Sequence, residues 1–147
     1  MSVDLDAVHH YRRIHGLPAR SEGAHVVHDV AVPRALRFAA RYGAPLTFFA
    51  VAEDLARASS SRVLAEASRE GHPVESHSST HPYDLVRMGD RIGPEIRESF
   101  DVIERAIGRR PRGFRAPGYT VSDAVFDALE DAGATFDSSV FPSWPYY

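Results

Sequence analysis

Apolar residues recur at helical spacing in four stretches of the chain. Val32, Leu36, Ala39 and Ala40 precede "RYGAP", and Leu55, Val63, Leu64 and Ala67 precede "REGHP". Ile92, Ile96, Phe100, Ile103 and Ile107 run up to "AIGRRP", and Val125, Phe126, Leu129 and Ala132 follow Ser122 and stop at Gly133. Each stripe ends at a glycine, which can take the left-handed conformation that closes a helix, and Ser122 is placed to cap the last one. Between the stripes lie short β-rich runs: "SVDLD", "LTFFAV", "PVESH", "GFRAP" and "ATFDSSV". Strand and helix alternate, which predicts a parallel sheet with right-handed crossovers. Two stretches depart from this order. "HHYRRIHGLPARSEGAHVVHD" is polar and weakly periodic, predicting a long irregular excursion above the sheet, and "ASSSR" predicts a break in the second helix.

With 147 residues, 44% hydrophobic and 25% charged, the chain is long enough for one domain with one core. A net charge of -3 gives no electrostatic case for nucleic acid, and "GRRPRGFR" reads as a solvated loop. Cysteine is absent, so any metal must take His, Asp or Glu. No apolar run reaches the ~20 residues of a membrane span, and no leader pattern is visible, so the cytoplasm is the default expectation.

In parallel α/β folds, ligands bind at the carboxyl ends of the strands. Asp4 and Asp6 end the first strand, His77 the third, Arg115 the fourth and Asp137 the fifth, so four segments are expected to converge on one face. In "ESHSSTHPYDL", His77 and His81 stand four apart, which brings two imidazoles to one side of a turn or tight loop. Neutral imidazole suits zinc, whose catalytic sites keep a position open. Asp4 and Asp6 alternate along a strand and can face one site, one as a ligand and the other as a base. In "GFRAPGYT", an arginine could grip a carboxylate bidentately, and a glycine permits close backbone approach to a developing oxyanion.

"SVDLDAV", "LTFFAV", "HSSTHPYDL", "GFRAPGY" and "FDSSVFP" together resemble, in order and spacing, the polysaccharide deacetylase family (carbohydrate esterase family 4, the NodB-homology domain) from Ser2 to Pro142. The D-x-D form of the first motif is similar to the branch of peptidoglycan deacetylase and allantoinase-like members. The resemblance implies a distorted (β/α) barrel and metal-assisted removal of N-acetyl groups from amino sugars, a hydrolysis of carbon–nitrogen bonds other than peptide bonds. It implies Asp4 as general base, and Asp6, His77 and His81 as ligands of a divalent metal. Zinc is the default, with cobalt, nickel or another divalent ion as alternatives. Arg115 would orient Asp4, and the backbone around Gly118 and Tyr119 would face the oxyanion. Pro82, Tyr83, Pro117 and Asp137 would line the substrate groove.

The family's general acid is a histidine in a late L-x-H motif, and none follows the fifth strand here. The expectation is therefore a single domain, residues 1–147, cut short at its C-terminal end. Its open sheet edge and the aromatic "VFPSWPYY" would favour self-association. His10 and His15 are the histidines most able to overhang the site as substitute acids, and His72 belongs to a turn. Besides a purely structural α/β domain, which would leave the convergence of Asp4, Asp6, His77, His81 and Arg115 unexplained, three function classes stay open. One is an amide hydrolase acting on an N-acetylated glycan or a small amide. Another is an inactive homologue that keeps metal or glycan binding. The third is a non-haem iron oxygenase, whose two-histidine, one-carboxylate set this resembles but whose usual β-fold it does not.

Overall fold

A computed structural model of the chain describes residues 1–19, 23 and 25–140. Five parallel strands form one sheet in the order of the sequence: β1 (Ser2–Asp4), β2 (Thr47–Ala50), β3 (Val74–Ser76), β4 (Gly113–Phe114) and β5 (Phe136–Asp137). Five helices lie between them: α1 (Val8–Ile14), α2 (Val32–Tyr42), α3 (Ala58–Arg69), α4 (Ile92–Ile107) and α5 (Asp123–Asp131). The predicted helix stops hold: Gly43 and Gly108 are left-handed C-caps, and Gly71 and Gly133 have φ of 90° and 80° just beyond α3 and α5.

The sheet has two chemically different faces, and strand register shows why. Val3, Phe48 and Val74 are paired neighbours, and all three pack into the apolar cluster with Val32, Ala39, Leu64, Ala67 and Ile103. A second cluster joins Phe114 to Ile96 and Phe100 of α4 and to Val125 and Leu129 of α5. The alternate residues Asp4, Phe49 and Glu75 are also paired with one another and therefore face the other way, into the hollow of the sheet. That hollow is tightly curled. A flat sheet would hold β1 and β4 about 14 Å apart. Yet Arg115, one residue beyond β4, bonds Asp4 at the end of β1 at 2.6 Å. The strands thus form a curled half-barrel, the predicted parallel α/β barrel architecture over the described residues.

Several local expectations are corrected. The polar stretch after β1 is not wholly irregular, for α1 occupies Val8–Ile14 and a turn of wide π-helix, Val27–Ala31, leads into α2. The break near "ASSSR" falls before the serines, at the extended Arg57, and the serines sit inside α3 while Leu55 belongs to a separate 3-10 turn. Ser122 takes the capping position without a side-chain cap, its carbonyl instead accepting from Val125 and Phe126 at 2.9 and 3.1 Å. Of the aromatic tail "VFPSWPYY", residues 141–147 lie outside the described residues.

Candidate metal centre

The hydroxyl residues between the two histidines build the loop that carries them. Ser78 and His81 have φ of 70° and 56°, a left-handed conformation that side chains other than glycine adopt only when held there. The holding bonds are all present. Ser78 Oγ accepts the His81 N–H at 3.0 Å, and the carbonyls of Ser78 and Ser79 accept from Ala52 and Glu53 at 3.0 and 2.9 Å. The buried Glu95 of α4 accepts from Thr80 N–H at 2.6 Å and from its hydroxyl at 3.0 Å. His77 and His81 are thus brought together by a tight loop rather than by a helix, both fully enclosed at the side chain.

Asp6, two residues past the end of β1, meets them. Its Oδ1 lies 3.2 Å from His77 Nε2 and 3.4 Å from His81 Nε2. Although buried, that oxygen has no donor in hydrogen-bonding geometry among the described residues. His77 Nδ1 lies 2.6 Å from the Arg115 carbonyl, so it carries the proton and leaves the Nε2 lone pair facing Asp6. His77 Nε2, His81 Nε2 and an Asp6 carboxylate oxygen lie within 4.8 Å of one another, a two-imidazole, one-carboxylate set that fits a divalent cation.

Asp4 sits beside this centre. Arg115 does not grip it bidentately: Nη1 donates to Asp4 Oδ1 at 2.6 Å, while Nη2 turns to Ser2 Oγ and Ser138 Oγ at 3.0 and 2.7 Å. The guanidinium also lies 4.1 Å over the Phe49 ring. The Tyr119 hydroxyl reaches Asp4 Oδ2 at 3.3 Å, and burial followed by the nearby Asp4 charge raises the phenol pKa. The Tyr119 N–H, expected to face an oxyanion, donates to the Ala116 carbonyl at 2.9 Å. Gly118 has φ of 62°, and a Cβ there would meet the Tyr83 carbonyl oxygen at 3.0 Å.

The remaining expected residues divide. Pro82 and the exposed Tyr83 line a groove of about 560 Å³ that reaches His81, together with Arg13 and Arg91. Pro117 is buried, and Asp137 bonds Ser139 N–H and Oγ at 2.8 and 2.7 Å. Ser139 Oγ in turn accepts the Ala116 N–H, so Asp137 supports the turn that follows Arg115.

Sequence reasoning missed the contribution of α1. His10, fully buried, stacks 5.2 Å from the His81 ring and places its ring nitrogens 3.0 Å from Asp54 and 3.1 Å from Glu53. With both nitrogens committed, it is not the substitute acid. His9, His10 and Glu53 form a second possible ligand cluster, but the Arg13 guanidinium already fills it, 2.7 Å from Glu53 Oε1 and 3.1 Å from His10 Nδ1. Arg13 also donates to the Thr80 carbonyl in the histidine loop. The signal available in the sequence was the i, i+3, i+4 spacing of His10, Arg13 and Ile14. His72 does lie in a turn, accepting the Leu46 N–H at 3.2 Å.

Comparison with known proteins bears on the same residues. The polysaccharide deacetylase family model matches residues 26–136, a span that contains both histidines and Arg115 but neither α1 nor Asp4 and Asp6. A peptidoglycan deacetylase of Helicobacter pylori is 25% identical over 122 residues, covering 81% of the chain and 41% of that protein. A peptidoglycan-N-acetylglucosamine deacetylase of Bacillus cereus is 27% identical over 101 residues, covering 69% of the chain and 46% of that protein. The chain thus spans under half the length of either relative. Among solved structures, a Mycobacterium smegmatis protein designated a polysaccharide deacetylase superimposes with a TM-score of 0.79 at 23% identity, over 97% of this chain and 51% of that one.

Proposed function

The chain belongs to the polysaccharide deacetylase family, and from that premise we propose that it is a metal-dependent hydrolase removing N-acetyl groups from an amino-sugar polymer or oligomer. The observation that carries this reading is the donor-less Asp6 Oδ1 between two imidazole Nε2 atoms, with Asp4 fixed by Arg115 beside it. A divalent cation, zinc by default for this ligand set, would polarise the amide carbonyl and acidify a water. Asp4 accepts the proton that water loses, in an orientation fixed by Arg115 on one oxygen and Tyr119 on the other. The water oxygen would then bond to the amide carbon, the carbon–nitrogen bond would break, acetate would leave, and the amine would take up a proton. Among the described residues, Asp4 is the group placed to return it. The Pro82–Tyr83 wall gives a sugar ring an apolar face to pack on, next to His81.

The test is acetate release by the zinc-loaded chain from N-acetylglucosamine oligomers and peptidoglycan fragments. Wild type should turn over, and Asp4→Asn should lose roughly 10²–10⁴-fold while still binding metal. A chain that binds zinc yet releases acetate from no N-acetylated glycan would refute the hydrolase reading and leave a binding protein.

A further inference from the structure

Each of the three proposed ligands is oriented by a different device. His77 is fixed by the hydrogen bond from Nδ1 to the Arg115 carbonyl. His81 has a buried Nδ1 with no hydrogen-bond partner among the described residues and is instead wedged by rings, His10 at 5.2 Å and His77 at 5.1 Å. Asp6 is fixed by the Tyr11 hydroxyl, which donates to Oδ2 at 2.8 Å. We infer that Tyr11 is a positioning residue of the metal centre, fixing Asp6 as a one-oxygen ligand by occupying Oδ2 so that Oδ1 alone points between the imidazoles. The inference rests on the metal reading above and adds to it a residue outside the span matched by the family model.

The geometry supports this in two ways. First, the carboxylate is divided: Oδ1 faces His77 and His81 and lacks a donor, whereas Oδ2 has one. A carboxylate with both oxygens open can swing into two-oxygen ligation, which changes the coordination number and crowds the position a water needs. A hydrogen bond to the outer oxygen opposes that swing. Second, the phenol is aimed by a well-anchored helix. One residue before it, His10 is locked between Asp54 and Glu53, and two residues after it, Arg13 bonds Glu53 and the Thr80 carbonyl. Tyr11 is itself 46% exposed, so its ring contributes little to the core, and its hydroxyl contact can be removed without a cavity.

The experiment compares wild type with Tyr11→Phe by cobalt(II) titration, reading both affinity and the visible absorption of the bound ion, and by thermal unfolding of the chelated protein. The expected result is a loss of affinity of roughly 10–100-fold, the usual effect of deleting a ligand's outer hydrogen-bond partner. The cobalt spectrum should shift toward higher coordination, with the unfolding midpoint of the chelated protein unchanged. A purely structural tyrosine would move the midpoint and leave the spectrum alone, which overturns the proposal. Equal affinity and an identical spectrum in both proteins overturn it too. If wild type itself takes up no cobalt, the failure belongs to the metal reading, and the two failures are thereby distinguished.

Discussion

Replacing Arg115 with methionine keeps an apolar stem over Phe49 but removes the charge that faces Asp4. The two side chains are 12% and 21% exposed, and their contact is 2.6 Å. Deleting one partner of a buried pair costs about 3–5 kcal/mol. Asp4 keeps the Tyr119 hydroxyl and some water, which puts Arg115→Met near the lower end, at about 3 kcal/mol. The bonds to Ser2 and Ser138 are lost as well, so only part of this belongs to the Asp4 contact. A double-mutant cycle with Asp4→Asn isolates that part, expected at about 1–2 kcal/mol. Urea unfolding with chelator present is the assay, since bound metal would otherwise add its own linkage. Zinc affinity should change little, because His77 is held by the backbone carbonyl of Arg115 and not by its side chain. A coupling below about 0.5 kcal/mol, or a zinc loss as complete as that of His77→Ala, would refute this division of labour.

Two further substitutions probe the frame of the site. Gly118→Ala places a Cβ at φ of 62° and 3.0 Å from the Tyr83 carbonyl oxygen, and should lower the melting temperature by roughly 3–6 °C; an unchanged midpoint would show that this turn is not constrained. His10→Gln tests the anchor of α1 through pH. Burial tends to lower the His10 pKa, but Asp54 and Glu53 outweigh it and leave it raised, with Arg13, His9 and His81 the other groups facing the ring. A raised histidine stabilises the fold fully below its unfolded value of 6.5, and the contribution is lost as pH rises through the higher folded value. His9 and His28 shift the other way, so the comparison is made as the difference between the wild-type and His10→Gln stability curves. That difference should shrink as pH rises; a constant difference from roughly pH 5 to pH 9 would remove His10 from the ionic anchor.

Four of the helices were legible because each repeats the helical period and stops at or just before a glycine, and the strands as short β-rich runs between them. The site was legible through its strand ends, since Asp4, Asp6, His77 and Arg115 fall where parallel sheets gather ligands. Helix α1 was hidden by the chemistry of its inner face. Its buried side chain is the imidazole of His10, paired with Asp54 and Glu53, so no aliphatic stripe marks the helix. Side-chain commitments were also beyond local reading. Nothing in "GFRAPGYT" shows that the Tyr119 amide closes a turn on Ala116 while its hydroxyl goes to Asp4, contacts that depend on the curl of the sheet.

The most direct test of the central claim is anomalous diffraction at the zinc absorption edge from crystals of the chain grown with zinc. The account predicts one strong peak about 2.0–2.2 Å from His77 Nε2, His81 Nε2 and Asp6 Oδ1, and its disappearance in His77→Ala. A peak at His9, His10 and Glu53 instead, or none between Asp6 and the two histidines, would contradict it.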